Sequence, residues 1–233
     1  MESPVTAAGN IYEALWQQAV PALQNGTPQL DPQLLPGAAD ARRGVTLIAR
    51  PTPEIQERVA AFLQAAQAVA PGQHVYSREE LHVTLLAVIP GSEQWQQSEP
   101  QLPQYQTILA EVLSRHKPFT ISFRGVTASP QAVLIQGFPE DDSLARLRDD
   151  LRAAFAKAGL GQNLDRRYKI GAAHLTALRL ARPLPDWNPL LRVLEAHRQT
   201  TFGELEVRHA QLIWSNWYAS ADLVRVLATY PLG

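Results

Sequence analysis

Two periods of apolar residues alternate along most of the chain, and each switch between them marks an element boundary. Gly44–Arg50 is a nearly continuous apolar run, read as a buried strand that stops at Pro51. Thr52 then caps a helix whose first turn holds Pro53. Ile55, Val59, Phe62, Leu63, Ala66 and Val69 recur at three- and four-residue spacing, which gives that helix one buried face, and Pro71-Gly72 ends it. A short strand over His74–Ser77 leads to a longer one over Leu81–Ile89, closed by Pro90-Gly91. Ser92–Gln101 is polar and reads as a loop, and Pro103 opens a helix to about Arg115. Phe119–Phe123 alternates with period two, and a turn at Ala128–Gln131 returns the chain along Val133–Ile135 as a hairpin.

The remainder repeats the pattern. Asp142 or Ser143 caps a helix striped by Leu144, Leu147, Leu151 and Phe155, and Gly159 stops it. A loop over Gln162–Ile170 precedes a strand at Ala172–Leu180; Asp186 caps a short helix; and strands are expected at Phe202–Arg208, Gln211–Tyr218 and Leu223–Tyr230. Residues 1–43 read as an N-terminal extension, with a short helix from about Ile11, capped by Asn10 and kinked or ended near Pro21, then a Pro/Gly/Gln-rich segment. Ile11, Leu15 and Trp16 would share its packed face. Residues 44–233 form the main body, and the order of elements implies an α+β class with two similar lobes, antiparallel sheets carrying helices on their outer faces.

Two of these strands carry a polar pair inside an apolar run. His82-Val83-Thr84 and His174-Leu175-Thr176 lie 92 residues apart, and Tyr76 and Tyr168 each precede the histidine by six residues. Residues two apart in a strand project to one face, so each motif presents an imidazole and a hydroxyl together. If the two strands meet, two imidazoles and two hydroxyls face one cavity. That set suits a phosphodiester: one imidazole deprotonates the attacking oxygen, the other protonates the leaving oxygen across phosphorus, and the hydroxyls donate to the non-bridging oxygens. No metal or cofactor is required. A lone strand histidine is more often a packed residue bonded to a carbonyl; the duplication, with a matching tyrosine, argues for a site.

Composition narrows the setting. The absence of cysteine removes disulfides, thiolate metal sites and thiol nucleophiles together. A formal net charge of −1 gives no global basic field, so a nucleic-acid partner is expected to be short or held locally. The N-terminus lacks a signal-like pattern and no apolar run approaches the ~18 residues of a membrane span, so a cytoplasmic monomer with no membrane partner is expected. Neither H-E-x-x-H, Walker A nor G-x-G-x-x-G occurs.

The paired motifs, with the lead-in Thr46–Glu54, resemble the 2H phosphoesterase superfamily, which includes proteins known as 2′-5′ RNA ligases and 2′,3′-cyclic phosphodiesterases, over roughly residues 44–232. The resemblance implies a bilobal, pseudo-symmetric α+β fold with a central cleft, and metal-independent hydrolysis of a 2′,3′-cyclic phosphate or a 2′-5′ linkage in nucleotides or RNA ends. His82 and His174 become the acid/base pair, and Thr84 and Thr176 the phosphate ligands. Tyr76, Tyr168, Arg167 and Trp214 are further candidates for contacting substrate, Arg167 within the basic run Arg166, Arg167 and Lys169. The competing reading is a nucleotide- or RNA-end-binding protein that uses the same cleft without turnover; 2′-5′ ligation by reversal is a variant of the first. Ala177 departs from the bulky aliphatic more usual in the second motif, and residues 1–43 have no counterpart in the minimal fold.

Overall fold

The computed structural model describes residues 4–35, 37–161, 164 and 171–233. Among these the elements run α1 (Pro4–Gln24), β1 (Arg43–Ala49), α2 (Pro53–Val69), β2 (His74–Val75), β3 (Val83–Ser92), α3 (Leu102–Leu113), β4 (Phe119–Ser129) and β5 (Ala132–Pro139). The second half supplies α4 (Ser143–Lys157), β6 (Leu175–Arg179), α5 (Asn188–Ala196), β7 (Thr201–Val207), β8 (His209–Asn216) and β9 (Arg225–Pro231). This is the α+β class expected from the sequence.

The strands form one sheet in the order β7-β4-β5-β6-β3-β1-β8-β9, with β2 added beside β6 and every pairing antiparallel. The order reads the same from both ends under a pseudo-twofold axis between β6 and β3. Each motif strand has one long partner, β1 or β5, then a second and an edge strand. The first lobe is β3-β1-β8-β9 and the second is β6-β5-β4-β7, so the lobes are not consecutive in sequence. β1 explains why. Its Val45, Leu47, Ile48 and Ala49 are all buried, and a buried strand must pair on both sides; the C-terminal β8 supplies the side that β3 leaves open.

The helices exchange as well. The strand-then-helix order would place α2 on the lobe of β1, yet α2 packs on β6, β7 and α5, while α4, which follows β5, packs on β3 and α3. Each lobe is thus covered by a helix that starts from the other. One main core runs through both, so the lobes are interleaved rather than tethered.

Several local expectations change. α1 starts at Pro4, so Asn10 lies inside it rather than capping it; its buried residues are Ala8, Tyr12, Ala19 and Leu23, while Ile11 is 38% exposed. Pro21 falls in the last turn and the helix ends three residues later at Gln24, with Asn25 and Thr27 bonding back to the Pro21 and Ala22 carbonyls. β3 runs on to Ser92: Pro90 and Gly91 fall in a register shift between the Ile89 and Ser92 pairs, where no ladder bond is demanded of the proline. The polar stretch before α3 contains a 3-10 helix, Trp95–Gln101.

Candidate active site

The lobes are hydrogen-bonded to each other through one register pair between the motif strands, Val83 opposite Leu175. These are the central residues of the two motifs, and both are fully buried. An antiparallel register centred there sets His82 across from Thr176 and Thr84 across from His174. In a regular antiparallel ladder directly opposed residues stand about 5 Å apart and diagonal ones about 7 Å, and the two histidines are close enough for His82 to act electrostatically on His174. Each histidine precedes the first residue of its strand, where the ladder no longer fixes the backbone.

A cavity of about 190 Å³ opens over this crossing, lined by His82, Thr84, His174 and Thr176 together with Tyr76 and Arg179 on one side and Ala87, Pro90, Gly91 and Trp217 on the other. Arg179 was not among the sequence candidates. Strict alternation from His174 and Thr176 would turn it away, but β6 carries a bulge: Thr176 pairs with Leu134 and Leu178 with Val133, so Ala177 is the extra residue. The bulge shifts the phase and brings Arg179 to the cleft. β3 does the same after Thr84, where register shifts bring Ala87 and Pro90 to the cavity. The signal was in the sequence: apolar doublets Leu85-Leu86 and Ala177-Leu178 interrupt the alternation after each threonine. Ala177 itself is buried, away from the cleft.

The histidines differ in their fixation. His82 Nδ1 lies 2.6 Å from the Glu80 carbonyl, which holds the proton on Nδ1 and leaves Nε2 with its lone pair free in the neutral ring. The turn before it is pinned by Arg50, which donates to the Glu79 carbonyl, and by the Glu80 carboxylate, which accepts from the Ser77 and Ala221 amides at 2.8 and 3.1 Å. His174 Nδ1 is buried and has no hydrogen-bond partner among the described residues. Burial drives both imidazoles down to about 4; the cations Arg50 and Arg179 act further on His82, and Arg148, His82 and Arg179 on His174. Both are therefore neutral near pH 7 in the free protein.

Arg148 is the second residue that sequence reasoning missed. Only 3% exposed, it reaches from α4 to donate from Nε to the Leu85 carbonyl at 2.8 Å and from Nη2 to the Thr84 and Ala172 carbonyls, both at 2.9 Å. One guanidinium thus ties the first motif strand to the segment that enters the second. Its signal was a charge inside the apolar stripe Leu144, Leu147, Leu151 and Phe155.

Tyr76 is buried at the cavity, and its hydroxyl accepts from Arg179 Nε at 2.9 Å, so it orients the guanidinium. The Tyr218 ring lies 5.6 Å from the same guanidinium; its hydroxyl donates to Asp31 at 2.9 Å and accepts from Arg42 at 3.2 Å. Burial and Asp31 together raise the Tyr218 pKa, so that donor keeps its proton. Trp214 stands outside the cavity lining, packed edge-on against Trp95 at 5.3 Å with Arg225 over its ring. Trp217 takes its place as the aromatic wall, with Arg42 5.0 Å from its ring and Gly91 so close that a Cβ there would meet the indole at 3.3 Å. Tyr168, Arg166, Arg167 and Lys169 lie outside the described residues. Among the described residues no three His, Asp or Glu side chains converge as a metal site would require, and no helix is long and apolar enough to cross a membrane.

Comparison with known proteins follows the same lines. Residues 51–217 match the family profile of the 2′-5′ RNA ligase superfamily. The crystal structure of TT0787 of Thermus thermophilus is similar with a TM-score of 0.57 and 23% identity, covering 82% of this chain and 97% of that one. E. coli LigT complexed with 3′-AMP gives 0.50 and 16% over 82% of this chain and 98% of its own. ATU0111 from Agrobacterium tumefaciens, described as a conserved protein of unknown function, gives 0.57 and 15% over 89% and 96%. No curated protein sequence matches. With most of its length matched by the profile and its fold shared, the chain belongs to the 2′-5′ RNA ligase superfamily, the 2H phosphoesterases.

Proposed function

We propose that the protein is a metal-independent phosphodiesterase that hydrolyses 2′,3′-cyclic phosphates or 2′-5′ phosphodiester bonds of nucleotides and RNA ends. The observation that carries this reading is the Val83–Leu175 register pair, because it sets two imidazoles diagonally across one cavity with a hydroxyl beside each. Both imidazoles are neutral in the free protein, and an anionic phosphodiester between them draws one proton onto the pair. The neutral imidazole takes a proton from water as its oxygen bonds to phosphorus. The protonated one gives its proton to the ribose oxygen as the P–O bond breaks. The pair ends with one proton, now on the other histidine, and the product is a phosphomonoester.

Thr84 and Thr176 donate to the non-bridging oxygens, and Arg179, held by Tyr76, balances the charge that builds on them. The other side of the cavity, with Ala87, Gly91 and Trp217, offers room and an aromatic face for a nucleobase. That E. coli LigT has been crystallised with 3′-AMP supports a nucleotide-sized ligand. The lack of cysteine fits a cytoplasmic setting.

The test is incubation of the full chain with nucleoside 2′,3′-cyclic phosphates and with 2′-5′ dinucleotides, followed by chromatography. Formation of a phosphomonoester at a rate unchanged by EDTA is expected. No product from either substrate class, or activity abolished by EDTA, overturns the reading.

A further inference from the structure

The ladder between β5 and β6 ends one residue short of the second histidine. Its pairs run from Ala132–Arg179 to Ile135–Leu175, and continuation would set Gly137 against Ala173, the residue before His174. The backbones do converge there: a Cβ on Gly137 would fall 1.7 Å from the Ala173 carbonyl oxygen, so only glycine fits. The Tyr12 hydroxyl of α1 takes over the pairing. It donates to the Gly137 carbonyl at 2.9 Å and accepts from the Gly137 amide at 3.1 Å and the Ala173 amide at 3.2 Å. One donor and two acceptor positions are all a phenol has, and all three are used on these two residues.

We infer that Tyr12 is a positioning residue for His174: the N-terminal helix completes the second half of the site by fixing the backbone from which that imidazole projects. The mount is rigid. Tyr12 is 1% exposed, its ring packs edge-on against Phe138 at 5.4 Å, and Thr127, fully buried, donates to its carbonyl at 3.0 Å. Burial lifts the phenol pKa to about 12, so it remains a donor across the working pH range. Tyr12 lies before residue 51, outside the stretch that the family profile matches. On the catalytic side the inference rests on the proposed function; on the structural side it does not.

His174 is buried and faces Arg148, His82 and Arg179, and the Tyr12 hydroxyl closes the backbone at the residue before it. Removing the phenol oxygen opens that backbone to water. In Tyr12→Phe the His174 imidazole titration, followed by NMR and assigned with His82→Gln and His174→Gln, is expected to rise by about one pH unit while that of His82 stays put. With a cyclic nucleotide, kcat is expected to fall about tenfold and KM to stay within about twofold. Arg198→Ala serves as the control, since it loosens α1 by removing the 2.7 Å pair with Glu13 and the cation over Trp16 without touching the phenol. It is expected to lower Tm and leave both titrations in place. An unmoved His174 in Tyr12→Phe, or an equal shift in Arg198→Ala, overturns the inference. If Tyr12→Phe does not fold, Thr127→Val decides by the same titration: a rise for His174 alone supports the inference and no rise overturns it. Because the titration needs no substrate, a wild-type protein without turnover would refute the proposed function and leave this result standing.

Discussion

The two motif strands differ far more in their surroundings than in their sequences. Both carry His-x-Thr, both bulge after the threonine, and their central residues face each other across the pseudo-twofold axis. The fifth position after the histidine is Ala87 in one and Arg179 in the other, so the β6 side of the cavity carries a cation in its lining, whereas the β3 side is lined by Ala87, Pro90, Gly91 and Trp217 together with the polar Thr46, Ser215 and Asn216. His82 is held through Nδ1 by the Glu80 carbonyl; His174 depends on its backbone, tied by Arg148 at Ala172 and by Tyr12 at Ala173. A duplicated motif thus meets itself across one cavity, and the surroundings break the symmetry; under the proposed function the Arg179 side holds the phosphate charge and the Trp217 side the nucleobase.

The largest expected effect tests the symmetric part. His82→Ala and His174→Ala should each reduce kcat by about a thousandfold, and the double variant should lose little more, because the two act as one unit; steady-state kinetics on a cyclic nucleotide measure this. Near-additive losses would break the symmetry. Arg148→Met strips three carbonyls in both lobes of their donor and should lower unfolding free energy by about 3 kcal/mol, read from urea denaturation. Arg179→Met takes the donor from the buried Tyr76 hydroxyl and the cation from the Tyr218 ring, so it should lower unfolding free energy by about 1 kcal/mol, less than Arg148→Met, while raising KM by tens of fold.

Trp217→Ala sharpens the opposite side: KM for a nucleoside cyclic phosphate should rise about tenfold, whereas a cyclic phosphate of a ribose lacking a base should be unaffected. An equal change for both substrates would remove the nucleobase from the apolar side. A separate test concerns pH and stability. Both folded imidazoles sit at about 4, against about 6.5 unfolded, so across that window the unfolded chain binds more protons. Stability from these groups is therefore present above about pH 6.5 and is lost as pH falls toward 4. His174→Gln should reduce the drop in urea midpoint between pH 7.5 and pH 4.5, and His82→Gln should do so to a similar extent.

Much of this was legible along the chain. The apolar periods placed most strands and helices, and the repeated motif marked the residues that line the cavity. The same patterns misplaced what depends on partners. Ile11 looked like the apolar anchor of α1, yet Tyr12 is, because its hydroxyl is needed at a gap in a ladder more than a hundred residues away. Trp214 and Trp217 are equally aromatic, and their distinct roles follow from the turn after β8, which brings only Trp217 to the cleft.

The sequence by itself determined the local periods, the two His-x-Thr pairs and the chemistry available to them, because side-chain alternation and imidazole basicity are properties of a few adjacent residues. It also held the apolar doublets that become bulges and the arginine buried in an apolar stripe. Only the tertiary structure decided that β8 and β9 return to the first lobe, that α2 and α4 exchange lobes, and that Arg148 and Tyr12 reach the backbone around His174. Those are contacts between residues far apart in sequence, fixed by which buried backbone groups still lacked a partner once the local elements had formed.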